Sequence, residues 1–149
     1  MNLLLTIDPG QHWGWAWFDD ASLYMAGVES VGKRVGDPPC PTVRGFKVLI
    51  EVPRWYPGKE KGDVNQLIDL AVQVGEFREF YRRQGGLVEL VFPRTWKGTV
   101  PKEIMTARIL KQLTPAELNH VPLRPRAKTP DHNTVDAIGL GLWKLGRLR

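Results

Sequence analysis

A buried strand that ends in a carboxylate constrains this chain more than any other feature of its sequence. Residues 3–8 read Leu-Leu-Leu-Thr-Ile-Asp, and the Pro-Gly that follows Asp8 predicts a tight turn. Residues 46–52 form a second apolar run with Glu51 near its end. If these two strands are parallel neighbours, both carboxylates emerge at the carboxyl edge of the sheet, where open α/β sheets bind ligands.

The order of the remaining segments predicts an α/β fold. Alternating or buried apolar runs indicate strands, apolar residues at three- and four-residue spacing indicate helices, and Thr114 with Glu117 is a capping-box pattern. The predicted strands are 3–8, 13–18, 22–29, 46–52 and 87–92; the predicted helices are 65–84, 101–113, a short one after Thr114, and about 129–145; the loops are 30–45 and 53–63, with a basic linker at 122–128. This order predicts a five-stranded mixed sheet flanked by helices, in a single domain over residues 1–149.

Three tryptophans share one face of the second predicted strand. Trp13, Trp15 and Trp17 stand at two-residue spacing, and successive side chains of a strand point to opposite faces of the sheet. We therefore expect these three side chains to form a core face that is packed under helices.

A third carboxylate, Asp136, lies within the last predicted helix. Small and apolar neighbours indicate that this part of the helix faces the sheet, and His132 and Asn133 precede Asp136 by about one turn on the same face. Grouping Asp136 with Asp8 and Glu51 is costly unless a cation compensates the charge. Carboxylate oxygens suit Mg²⁺, with Mn²⁺ as a substitute, and two such ions can promote hydrolysis of a phosphodiester.

The sequence around these acids resembles that of RuvC-type Holliday junction resolvases, which belong to the ribonuclease H-like superfamily. The first strand with its Ile-Asp-Pro-Gly turn, and Trp13–Ala16 after it, resemble the opening of that family. Leu49–Glu51 is similar to the family's second acidic motif, and Asp136–Leu142 to its closing Asp-Ala helix. Pro93, Lys97 and Lys102 stand where the family carries a proline and lysines after the fifth strand. The resemblance covers nearly the whole chain, and the compact length is similar to that of phage-encoded members.

The resemblance implies a ribonuclease H-like fold, a homodimer, and Mg²⁺-dependent paired nicking of four-way DNA junctions. It makes Asp8, Glu51 and Asp136 metal ligands, and it implies that the helix at 65–84 contributes to the dimer interface. The family places a fourth ligand, Asp or His, three residues before the last Asp, where this chain has Asn133. Asparagine coordinates through its carbonyl oxygen without adding charge. His132 and Asp131 are therefore alternatives for the fourth ligand.

Basic loops with aromatic side chains point to a nucleic-acid partner. The chain has a net charge of +5, and a basic balance favours polyanions. Aromatic rings can stack on unpaired bases while nearby cations hold phosphates. The candidate DNA-binding residues are Arg54, Trp55 and Lys59 in one loop, and Arg94, Trp96 and Lys97 in another. We also expect Lys97 and Lys102 to neutralise charge that develops on the reacting phosphate.

The remaining features bear on location and on rival functions. No apolar run approaches the roughly 20 residues of a membrane span; the start of the chain lacks the basic region of a secretory leader; and Cys40 is the single cysteine. We therefore expect a cytoplasmic protein. Two alternatives remain open. One is another ribonuclease H-like nuclease that acts on flaps or other branched DNA, and the other is a catalytically inactive, structure-specific DNA-binding module.

Overall fold

Five strands and five helices occur in the computed structural model, which describes residues 2–32, 44–54 and 63–148. The strands are β1 (Leu3–Asp8), β2 (His12–Asp19), β3 (Ser22–Ser30), β4 (Lys47–Glu51) and β5 (Leu87–Val91). The helices are α1 (Val64–Arg83), α2 (Pro93–Trp96), α3 (Lys102–Gln112), α4 (Pro115–Leu118) and α5 (His132–Lys144). No helix within the described ranges is long and apolar enough to cross a membrane.

The sheet is mixed, with the strand order β3-β2-β1-β4-β5. Strands β1, β2 and β3 form an antiparallel meander, whereas β4 is parallel to both β1 and β5. The turn between β2 and β3 places Asp20 and Ala21 at φ values of 43° and 71°, the left-handed conformation that tight hairpin turns require. The predicted five-stranded mixed sheet flanked by helices is confirmed.

A separate hydrophobic cluster covers each face of the sheet. One cluster packs α1 on the three tryptophans of β2, and Trp13 meets Phe77 of α1 edge-to-face with ring centroids 4.8 Å apart. The other cluster packs α3 and α5 on the opposite face, to which the residues that follow Trp15 and Trp17, Ala16 and Phe18, contribute. The prediction that Trp13, Trp15 and Trp17 form a core face is therefore confirmed.

Helix α1 is buried over only part of its length. Val74, Phe77 and Tyr81 in its second half are buried in the core. In its first half, an apolar stripe at four-residue spacing is exposed: Val64 is 61% exposed, Ile68 54% and Val72 57%. The spacing of apolar residues identifies the helix correctly. It does not show which apolar residues pack against the sheet and which lie on the part of the helix that extends beyond the sheet.

Helix α5 lies directly against β1 and β2 because glycines remove the side chains that would separate them. A Cβ atom on Gly14 would overlap the backbone of Asn133, and one on Gly141 would overlap the ring of Phe18. The buried hydroxyl of Thr6 donates a hydrogen bond of 2.6 Å to the carbonyl of Ala137. These contacts fix α5 on β1, the strand that ends in Asp8, and on its neighbour β2.

An ion pair ties the end of the described chain to the rest of the fold. Thr114 and Glu117 form the predicted capping box at α4. Arg147 donates to both carboxylate oxygens of Glu117, at 2.6 and 2.8 Å, and the backbone N–H of Leu23 donates to the same carboxylate. The hydrogen bonds from Arg147, with those from the backbone, lower the pKa of Glu117 to about 2.

Three local expectations differ from the structure. Helix α5 begins at His132 instead of at residue 129 or 130, because the Asp131 side chain caps it by accepting a hydrogen bond from the N–H of Asn133. Residues 122–128 belong to a hairpin instead of a linker, since Leu123 pairs with Pro130 and the N–H of Arg124 donates to the carbonyl of Thr129. The expected loop around Trp96 contains α2, a single turn with proline at its start.

We predict that Gly14→Ala destabilises the protein by about 1–3 kcal/mol, the usual cost of overpacking, because the new methyl group meets helix backbone instead of a mobile side chain. Gly75→Ala is the matched control, since a Cβ there meets nothing within 4 Å. It should stabilise α1 by about 0.5–1 kcal/mol. Chemical denaturation measures both changes. A Gly14→Ala protein as stable as the wild type would contradict the close packing of α5.

Candidate active site

Two of the three predicted acids meet because their strands are parallel neighbours. Ile7 of β1 pairs with Ile50 of β4, so that the next residues, Asp8 and Glu51, end the two strands side by side. Both carboxylates are largely buried, with each residue 8% exposed. The turn after Asp8 is held by Gln73 of α1, which exchanges hydrogen bonds of 2.9 and 3.0 Å with the backbone N–H and carbonyl of Gly10.

The third acid, Asp136, reaches this edge from α5. It precedes Ala137, whose carbonyl accepts the hydrogen bond from Thr6, so the helix is anchored to β1 next to the acid. The side chain of Asp136 keeps 18% of its surface exposed. The structure therefore places all three carboxylates that the sequence singles out at one edge of the sheet, each from a different element, where the charges of Glu51 and Asp136 act on Asp8.

Burial has the largest effect on the electrostatics of this cluster, and repulsion between the acids adds to it. Burial, followed by the charges of Glu51 and Asp136, raises the pKa of Asp8 well above its usual value, although Lys97 and Lys102 oppose the shift. Burial also raises the pKa of Glu51, against the opposing effects of Lys97 and of a hydrogen bond from Trp96. Negative charge at this edge is thus only partly compensated by the chain itself.

Trp96 and Lys97 both donate to the carboxylate of Glu51. The indole N–H of Trp96 donates a hydrogen bond of 2.6 Å to Oε2 of Glu51. The Nζ atom of Lys97 lies 3.3 Å from the same oxygen and 3.4 Å from Oδ2 of Asp136. Burial by itself lowers the pKa of Lys97, but Glu51, Asp136 and Asp8 raise it by more, so the ammonium stays charged.

The burial of Trp96 corrects its predicted role. Trp96 is 6% exposed and its ring packs against α5, where a Cβ on Gly139 would lie 2.8 Å from the ring. A buried ring cannot stack on a base, so its assignment as a DNA-contacting residue is wrong for this conformation. Its basic flanking sequence resembles that of an exposed loop, and Gly139, the residue that makes room for the ring, is far away in sequence.

A cationic cavity of about 420 Å³ borders Asp136, one of the three acids. Its lining includes Arg94, Lys97, Lys102 and Asp136. Arg54 is also exposed near this edge, with its guanidinium 4.7 Å from the centre of the Phe92 ring. Of the other predicted DNA-binding residues, Trp55 and Lys59 lie outside the described residues.

A basic hairpin precedes α5 and was not identified from the sequence as a binding element. It spans the bridge from Leu123 to Pro130 and exposes Arg124, Arg126 and Lys128. Its last residue is followed by Asp131, the N-cap of α5, and Asn133 then lies against Gly14, which pairs with Asp8. The sequence feature that could have identified it is the run of three basic residues, Arg124, Arg126 and Lys128, with no acidic residue between them.

Known proteins match this chain in structure but not in sequence. No protein-family model matches the chain, and no curated protein matches it significantly in sequence. Two solved structures cover it almost completely. The T. thermophilus RuvC in complex with Holliday junction substrate is 17% identical, with a TM-score of 0.57 over 100% of this chain and 99% of that chain. A Thermus thermophilus RuvC structure is 14% identical, with a TM-score of 0.55 over 99% and 98%.

The chain has the RuvC fold. This result confirms the predicted ribonuclease H-like sheet. Asp8 and Glu51 lie at the carboxyl edge of that fold, and Asp136 of α5 lies close enough to share Lys97 with Glu51. Among the described residues, no group of three or more acidic, histidine or cysteine side chains has the arrangement of a metal site. Lys97 lies between two of the acids, Glu51 and Asp136.

The candidates for a fourth ligand differ in their surroundings. Asp131 is engaged as the N-cap of α5 through its bond to the N–H of Asn133. Asn133 is partly buried, and His132 is exposed. Asn133 and His132 keep the one-turn spacing from Asp136 that the sequence indicates, because both lie within the regular helix.

We predict that Trp96→Phe raises the pKa of Glu51 further above its ordinary value, because the carboxylate loses a donor that favours its charged form. Trp15→Phe is the matched control, since the indole N–H of Trp15 is buried without a hydrogen-bond partner in the described structure. An NMR titration of ¹³C-labelled glutamate carboxyl groups measures the effect. An unchanged Glu51 titration in Trp96→Phe would show that the indole does not hold the carboxylate.

Proposed function

We propose that this protein is a metal-dependent endonuclease that nicks four-way DNA junctions. The observation that carries the proposal is the meeting of Asp8, Glu51 and Asp136 at the carboxyl edge of a RuvC-like fold, beside a cationic cavity. A cluster of carboxylates next to lysines and arginines suits a reaction at a phosphodiester, since the acids can hold cations and the basic residues can hold the polyanion.

The donor chemistry of the cluster fits Mg²⁺, with Mn²⁺ as a substitute. Carboxylate oxygens are the ligands that these ions prefer. Burial, and after it the charge of neighbouring acids, raises the pKa of Asp8 and of Glu51, and a bound divalent cation would favour their charged forms. Asp8, Glu51 and Asp136 would hold the metal, with Asn133 or His132 as a further ligand. When bound, the metal supplies the charge that activates a water and stabilises the leaving 3′ oxygen.

The chain's own cations act on the substrate in this proposal. Lys97 and Lys102 border the cavity next to Asp136, where their charges favour the anionic transition state of phosphodiester hydrolysis. Arg54, Arg94 and the basic hairpin before α5 extend positive charge away from the carboxylates. We assign these outer cations to the DNA backbone, because phosphate contacts position a duplex arm without reading its sequence.

Paired nicking requires two active sites, and the exposed stripe of α1 supports a homodimer. Val64, Ile68 and Val72 are each more than half exposed and occupy one face of the helix. Three large apolar side chains in a row on a surface are typical of an interface. We propose a second copy of this chain as the occupant, so that the two copies present two sites to the symmetric strands of a junction.

A catalytically inactive junction-binding module is the second candidate. The observation in its favour is the pair of contacts that Lys97 makes with Glu51 and Asp136, together with asparagine at the position where the resemblance expects a fourth acid or histidine. In that case, Lys97 would serve as a permanent counter-ion, and the basic surfaces would still bind DNA. Cleavage assays distinguish the two candidates directly.

We predict that Asp8→Asn lowers junction cleavage by about a hundredfold or more, an effect of the size found when a catalytic group is removed, while junction binding is retained. Asp20→Asn, in the hairpin turn at the opposite end of the sheet, should leave cleavage unchanged. The assay uses labelled four-way junction, flap and linear duplex with Mg²⁺. Symmetric nicks in the junction alone support a resolvase.

The other outcomes of this assay separate the alternatives. Cleavage mainly of the flap or the linear duplex would replace the junction by another DNA substrate while keeping the chemistry. Tight junction binding without cleavage in either Mg²⁺ or Mn²⁺ would favour the inactive module. If Asp8→Asn cleaved as well as the wild type, the assignment of the active site to this edge would be wrong.

We predict that Ile68→Glu converts a homodimer into monomers, because it places a charge in the centre of the exposed stripe of α1. Ile104→Glu is the matched control, since Ile104 is also about half exposed but lies on α3, away from the stripe. Sedimentation velocity gives the mass of each variant. Monomeric wild-type protein at micromolar concentration, or a dimeric Ile68→Glu variant, would contradict this interface.

A further inference from the structure

A cationic side chain already lies among the carboxylates that we assign to metal binding. Lys97 contacts both Glu51 and Asp136, at 3.3 and 3.4 Å. Its side chain nevertheless keeps 26% of its surface exposed, and it borders the cavity that Arg94 and Lys102 also line. The ammonium is thus bound by two acids but not enclosed by them, and it has an open, cationic cavity beside it.

We propose that Lys97 is an exchangeable counter-cation: its ammonium compensates Glu51 and Asp136 until a divalent ion binds these acids, and it then moves to a phosphate of the bound nucleic acid. The inference rests on the proposed function, and it adds a competition between one residue and the metal at the same carboxylates. It requires no covalent step.

Competition follows from the geometry of these contacts. An ammonium and a divalent ion that share the same two carboxylates repel each other at short range, in a partly buried site where solvent screening is weak. Glu51 does not depend on Lys97 for its position, because the indole of Trp96 holds the carboxylate by an independent bond of 2.6 Å. When the lysine leaves, the carboxylate of Glu51 is therefore still oriented to act as a metal ligand.

The same exchange would link metal binding to DNA binding. A phosphate in the cavity gives the displaced ammonium a new anionic partner, so that nucleic acid lowers the cost of displacing it. Linkage is reciprocal: whatever factor DNA adds to metal affinity, metal adds to DNA affinity. The single charge of Lys97 would then compensate the carboxylates when no metal is bound, and a DNA phosphate when the metal is bound.

The first test is Mg²⁺ binding without DNA, measured by calorimetry on Lys97→Met. Methionine has a similar length but no charge. We expect Lys97→Met to bind Mg²⁺ about tenfold more tightly than the wild type, within the usual range of coupling between two sites. Lys144→Met is the matched control, because Lys144 pairs with Glu89 away from the three acids, and its Mg²⁺ affinity should be unchanged.

The outcomes distinguish failure of this inference from failure of the proposed function. Equal Mg²⁺ affinity in wild type and Lys97→Met overturns the exchange but leaves the metal site intact. Weaker binding in Lys97→Met also overturns the exchange, because it shows that the lysine helps to arrange the ligands. Absence of Mg²⁺ and Mn²⁺ binding in both proteins overturns the metal site itself, and the exchange with it.

A second measurement uses the wild-type protein, so that it does not depend on the variant's folding. Brief labelling with an amine-reactive acylating reagent, followed by mass spectrometry, reports the accessibility of each lysine. We expect Mg²⁺ to accelerate labelling of Lys97 at least several-fold while Lys144 is labelled at the same rate. Unchanged labelling of Lys97 at a Mg²⁺ concentration that saturates the calorimetric site would overturn the proposal.

Discussion

The negative charge of three grouped carboxylates is the constraint on which the arrangement of this site depends. Asp8 and Glu51 are largely buried, and burial together with mutual repulsion raises the pKa of each. Such charge is tolerated only beside compensating donors and cations. The indole of Trp96, the ammonium of Lys97 and the cationic cavity beside Asp136 all lie where that compensation is required. In our proposal, a divalent ion supplies the remainder during phosphodiester hydrolysis.

The approach of α5 to the sheet determines whether the three acids meet at all. Parallel pairing places Asp8 beside Glu51 without any tertiary contact beyond the sheet itself. Asp136 reaches them only because α5 lies close to β1 and β2, which requires the absence of a side chain at Gly14 and the bond from Thr6 to the helix backbone. The packing of α5 in the core therefore also determines the geometry of the site, because an outward shift of α5 moves Asp136 away from the other two acids.

The sequence predicted the features that depend on local pattern, and it missed those that depend on distant residues. Strand alternation correctly assigned Trp13, Trp15 and Trp17 to the core, and the apolar runs ending in acids correctly placed Asp8 and Glu51 at one edge of the sheet. Trp96 was misassigned because its basic neighbours indicate an exposed loop, whereas its burial depends on Glu51 and Gly139, each more than 40 residues away. The hairpin before α5 was similarly hidden, because a single bridge between Leu123 and Pro130 leaves no periodic pattern.

Fold similarity at 14–17% identity establishes the scaffold, so the functional argument has to come from individual charges. A junction nuclease and an inactive binding module can share every strand of this sheet, together with its basic surfaces. They differ in what compensates Glu51 and Asp136, because a permanent ammonium excludes a divalent ion from the same carboxylates, whereas a mobile one makes way for it. Lys97 is bound by both acids yet remains partly exposed at the cavity. This combination favours the mobile case, because an ammonium that already reaches the cavity can leave the two acids without first escaping from a closed pocket.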